Sequence, residues 1–234
     1  MRLVTTSRRL AAEAVGTALL VAAVVGSGIM AQRLATDPAV ALLANTLATG
    51  GALVAILLVF GPISGAHLNP AVTLCMAATR EVTPALAAGY VVAQVAGGIA
   101  GAVTANAMFD LPLVSWSEHV RAGFPQLLSE AIATFGLLGV VIAVGRTRAA
   151  ITPLAVAAYI VGAYWFTAST SFANPAVAIA RAFSDSYAGI RPGDVAGFVA
   201  AELVGATLGG VFFTWLVPVR RAHSSSVACT TGLP

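Results

Sequence analysis

The sequence contains no lysine, and only 9% of its 234 residues are charged: twelve arginines against nine acids. A soluble domain carries about 25% charged residues. With 59% hydrophobic residues, so few charges cannot cover the apolar surface, which excludes an ordinary soluble enzyme and a disordered chain. Cysteine is nearly missing. Cys75 and Cys229 make no disulfide framework and no metal-ligand spacing. Basic runs interleaved with aromatics are also lacking, since the arginines stand in ones and twos, so no nucleic-acid partner is expected. No Ser/His/Asp set, phosphate loop or metal cluster is visible. His119 and His223 stand alone in polar stretches and read as solvated. No catalytic residue, metal or cofactor is expected.

What is present is apolar length. Runs cover about residues 10–31, 41–60, 85–108, 127–144, 149–166 and 195–217. Each is near the ~20 residues that cross ~30 Å of hydrocarbon as a helix. The first run follows Arg2, Arg8 and Arg9, but it carries Glu13 and is too long for the core of a cleaved leader, so it reads as a span. Arginine sets the orientation. Arg2, Arg8, Arg9, Arg80, Arg146, Arg148, Arg220 and Arg221 fall on one side; Arg33, Arg121, Arg181 and Arg191 fall on the other with most of the acids. This predicts a multi-pass protein of the cell inner (plasma) membrane with both termini cytoplasmic.

Two links are not simple loops. Residues 61–83 and 167–194 each hold Asn-Pro-Ala-Val followed by more apolar residues: Asn69, Pro70, Ala71, Val72 and Asn174, Pro175, Ala176, Val177. Asn as N-cap with Pro at the first helical position starts a helix. About ten further residues rise ~15 Å, half a bilayer, so both links predict re-entrant half-helices. Glu13-x-x-x-Thr17 recurs as Glu130-x-x-x-Thr134, and an Asn-Pro-Ala-Val stretch follows each. Three spans per copy invert the second copy in the membrane. The predicted fold class is therefore an all-α membrane protein, a single domain over 1–234, of six transmembrane helices plus two half-helices. Its inverted repeats cover about 8–110 and 125–220, and 221–234 reads as a flexible tail. Broken helices meeting at the midplane mark a solute pathway.

Each half-helix N-terminus carries roughly +0.5 of a charge, a field that repels cations. With the oxygens of Asn69 and Asn174 capping their own helices, the amide NH₂ groups are left to donate into the lumen, align a passing hydroxyl or water, and break a proton-conducting chain. Glu13 and Glu130 are buried acids whose carboxylates can accept from the exposed amides of the re-entrant loops. His67 reads as facing the loop with some lumen exposure. Glu202 has no counterpart that the sequence identifies.

These residues resemble those of the major intrinsic protein family, the aquaporins and aquaglyceroporins. Residues 64–73, Ser-Gly-Ala-His-Leu-Asn-Pro-Ala-Val-Thr, are similar to its first signature, and Asn174-Pro175-Ala176 to its second. Glu13-x-x-x-Thr17 and Tyr90-x-x-Ala93-Gln94 match as well. The likeness spans about 8–220. It implies one pore per subunit, a homotetramer in the lipid bilayer and passive flow of small neutral solutes. The family's constriction uses four positions, normally with aromatics and one Arg. Counting from the two asparagines places Thr49, Gly162, Ser171 and Val177 there. This implies an unusually wide, Arg-free filter unless Phe172 swings in. Residues 171–181 resemble a bacterial branch associated with arsenic resistance, which implies glycerol-like polyhydroxy solutes including As(OH)₃, methylated arsenicals and water. Arg181, one turn beyond Val177, is a candidate for a displaced outer cation; the other readings are a surface ion pair with Asp185 and a contact that staples the loop. An ordinary water and glycerol facilitator and, more distantly, an ion-coupled transporter remain alternatives.

Overall fold

A computed structural model describes residues 4–218. The expected tail at 221–234, with His223 and Cys229, lies outside the described residues. The described residues form eight α-helices: α1 Thr6–Leu34, α2 Pro38–Ser64, α3 Pro70–Ala78, α4 Pro84–Met108, α5 Phe124–Thr147, α6 Thr152–Phe166, α7 Pro175–Arg181 and α8 Pro192–Leu216. A 3₁₀ turn, Ala149–Ile151, leads into α6. Among the described residues six spans are long and apolar enough to cross a membrane, α6 counting together with its 3₁₀ turn, and α3 and α7 are the two half-length helices.

α1, α2 and α4 begin ahead of their apolar stretches because polar residues start them. Thr5, Asp37 and Thr83 each accept a backbone N–H within the first turn of α1, α2 and α4. Every helix after α1 has Pro at its first or second position, where its missing N–H costs nothing.

Packing follows the inverted repeat. α1 lies on α4 as α5 lies on α8. A Cβ on Gly97 would stand 2.1 Å from the Ala14 carbonyl oxygen, and one on Gly101 would stand 2.2 Å from that of Ala18. The mirrored contacts are Gly205 on Ala131, 2.2 Å, and Gly209 on Phe135, 2.7 Å. Glycine is required at these positions because the helix backbones touch, as small-xxx-small pairs permit in lipid. The two halves enclose α3 and α7, which meet tip to tip between them.

Candidate functional site

The re-entrant loops before α3 and α7 share an unusual backbone. Gly65, Ala66 and Leu68 have positive φ, as do Thr170, Ser171 and Ala173, at matching distances before Asn69 and Asn174. Non-glycine residues pay about 1–2 kcal/mol each for this conformation. Buried carboxylates hold it. Glu13 Oε1 accepts from Ser64 Oγ at 2.6 Å and the His67 amide at 3.0 Å; Oε2 accepts from the Leu68 amide and Gln94 Nε2, both at 2.7 Å. Glu130 accepts the Phe172 amide at 3.0 Å and the Ala173 amide at 2.7 Å. Glu202, left without a counterpart by the sequence, takes the next amide, that of Asn174, at 3.0 Å. It stands where the repeat places Gln94. A trans peptide sets each N–H opposite the preceding carbonyl. The carbonyls of Ala66, His67, Ser171 and Phe172 therefore face away from the acids, toward the cavity these residues line.

Asn69 Oδ1 caps α3 through the Ala71 amide at 2.9 Å, and Asn174 Oδ1 caps α7 through the Ala176 and Val177 amides at 3.0 and 3.3 Å. Their NH₂ groups cross. Asn69 Nδ2 donates to the Ala173 carbonyl at 2.7 Å, and Asn174 Nδ2 donates to the Leu68 carbonyl at 2.8 Å. The expectation of amides wholly free to face the lumen is corrected: one N–H of each locks the opposite loop and the other remains.

A cavity of about 510 Å³ runs between the halves, from Glu81 and Arg146 at one end, past Asn69 and Asn174, to Tyr164, Ser171 and Arg181 at the other. Leu20, Val24, Leu53, Val72, Leu137 and Ile160 make its wall largely apolar. His67 lines it while its Nδ1 shares a 3.1 Å hydrogen bond with Thr73 Oγ1 and its ring meets Tyr90 edge-on.

Thr49, Ser171 and Val177 line the cavity as counted. Gly162 does not. It is exposed, with open space where a Cβ would be, and Tyr164 takes its place on α6. The two positions differ by about 200° around a helix. The Tyr164 hydroxyl donates to Thr49 Oγ1 at 3.3 Å, joining α6 to α2. The recurrence Thr152, Val156, Ile160, Tyr164, all lining residues, is the periodic signal that finds it.

Nor is the wall free of arginine. Arg181 lines the cavity, 1% exposed, with its guanidinium carbon 3.4 Å from the centre of the Phe172 ring and its Nε donating to the Ala188 carbonyl. It does not pair with Asp185, which accepts the Glu118 amide. Ser171 Oγ faces this end buried and without a hydrogen-bond partner. Arg121, read from sequence only as a topological charge, is also buried and stands 5.0 Å from the same ring. Nearby in the α4–α5 link, the His119 imidazole is held below its ordinary value near 6.5. Partial burial acts first, then the charges of Arg121 and Arg181, against Asp185. Among the described residues no group of three metal-ligating side chains occurs.

The major intrinsic protein family model matches residues 1–213. The chain is 54% identical to aquaglyceroporin AqpS of Rhizobium meliloti over 226 residues, 95% of this chain and 97% of that one. It is 31% identical to aquaporin Z of Bradyrhizobium diazoefficiens, over 89% and 93% of the two chains. The fold is similar to that of the aquaglyceroporin from Plasmodium falciparum, with TM-score 0.64 and 22% identity, over 91% and 95% of the chains.

Proposed function

The chain belongs to the major intrinsic protein family, and from that footing we propose a passive channel for small uncharged, glycerol-like solutes, including water, As(OH)₃ and methylated arsenicals. The observation that carries the reading is the cavity running past both asparagine caps. Small side chains at Thr49, Ser171 and Val177 leave room at one end, and Arg181 and Ser171 offer donors to solute hydroxyls there. We take Thr49, Tyr164, Ser171, Val177, Phe172 and Arg181 as the selecting set. Asn69 and Asn174, with Pro70, Ala71, Pro175 and Ala176, form the central pore motifs; Glu13, Glu130 and His67 support the loops. Its setting is a homotetramer in the plasma membrane with cytoplasmic termini. Burial of Arg121 and Arg181 removes two arginines from the surface opposite the termini, which sharpens the charge bias behind that orientation.

The test is stopped-flow permeation in proteoliposomes with water, glycerol and trivalent arsenic. Val177→Arg adds a long cation beside Arg181 and should cut glycerol and arsenic flux severalfold more than water flux. An unchanged range of permeants places the constriction elsewhere. A narrower reading, an ordinary water and glycerol facilitator, is favoured by the Tyr164 and Phe172 rings at that end. It requires glycerol flux with no passage of trivalent arsenic.

A further inference from the structure

We propose that Arg121, which lies in the α4–α5 link outside both repeats, is the positioning residue that fixes Phe172 and Arg181 at the selecting end of the cavity. The proposal rests on the reading of that end given above.

Arg121 joins the two strands of chain that flank α7. Its Nη1 donates to the Ser169 carbonyl at 3.0 Å, before the half-helix. Its Nε and Nη2 donate to the Gly189 and Tyr187 carbonyls at 2.8 and 3.3 Å, after it. The carbonyl between those two, that of Ala188, is the acceptor for Arg181 Nε. Three consecutive carbonyls are thus divided between two arginines, with the Arg121 fork straddling the bond made by Arg181. Both guanidiniums lie over the Phe172 ring, which attracts cations through its face.

The link itself is fastened. The Arg121 amide donates to Asp194 Oδ2 at 2.9 Å, and Asp194 pairs with Arg191 at 2.8 Å. The Ser115 and Ser117 amides donate to the Phe183 and Ala182 carbonyls beyond α7. Among the described residues, neither Arg121 nor Arg181 forms an ion pair with an acid. Two buried cations held only by carbonyls and one ring are a costly arrangement for stability alone. Their shared contacts make the orientation of Arg181 depend on Arg121.

The experiment compares glycerol and water permeabilities of proteoliposomes containing the wild type, Arg121→Lys, Arg181→Gln and the double variant. Lysine keeps the charge but cannot supply the planar fork. Arg121→Lys should raise the glycerol-to-water ratio about twofold, the low end of coupling between contacting residues, in the same direction as Arg181→Gln. It should add nothing in the Arg181→Gln background, an outcome that a general loss of folded channel does not produce. A shifted ratio in Arg181→Gln beside an unchanged ratio in Arg121→Lys, or full additivity, overturns this proposal alone. An unchanged ratio in Arg181→Gln removes the selecting-end reading and this inference together. Should Arg121→Lys not assemble, Phe172→Leu keeps the fork and deletes the shared ring. It should shift the ratio non-additively with Arg181→Gln, and no shift overturns the proposal.

Discussion

Gln94 and Glu202 hold corresponding places in the two repeats, yet one is an amide and the other an acid. Gln94 Nε2 donates to Glu13 and to Thr73 Oγ1. Glu202 gives one oxygen to the Asn174 amide, while the other is buried without a partner and the carboxyl meets that of Glu130. Glu202→Gln should therefore be tolerated, with a melting temperature in detergent equal to or above the wild type, because a side-chain oxygen stays on Asn174 and an NH₂ is gained toward Glu130. Glu202→Leu strands the Asn174 amide and should cost about 1–3 kcal/mol, read as a lowered melting temperature. At this scale the sequence was partly legible. The asparagine caps, Glu13 and Glu130 announce themselves by motif and repetition. Glu202 does not, because an acid replaces the amide of its mirror position. Tyr164 was missed because counting back from Asn174 presumes a fixed loop length, whereas helical phase decides which side chain turns inward.

Among elements, the close approaches are what the hydropathy runs cannot show. Apolar stretches announce six spans, and asparagine with proline announces two half-helices. Which faces touch is written in single glycines. Gly205 lies against the Ala131 carbonyl and Gly97 against that of Ala14, with no room for a Cβ. Gly205→Val should separate α8 from α5 and sharply lower the yield of folded channel, whereas Gly145→Val, at a position with open space, should not. Fluorescence size-exclusion of the two variants makes the comparison. The α4–α5 link was the least legible element. Its arginine looks like a surface charge, and only the tertiary fold turns it into the tie across α7.

For the whole molecule, two mirrored halves and a cavity continuous between them describe a passage rather than a carrier. Among the described residues the buried acids are engaged mainly with loop amides, and the adjoining carboxyls of Glu130 and Glu202 leave one oxygen unpartnered, fewer free ligands than a coupling ion needs. Glycerol flux down a fixed gradient should thus be unchanged when a protonophore abolishes the proton gradient in proteoliposomes; a severalfold drop would favour ion coupling. This general plan was the most legible level, since composition, span count and inversion agree.

The crossed amide bonds tie Asn69 to Ala173 and Asn174 to Leu68, partners more than a hundred positions apart. A ribosome delivers the earlier member of each pair first. The nascent N-terminal half must wait in the bilayer with its latch open until the second half has been threaded in, so a product truncated between the two would carry a hook with no eye.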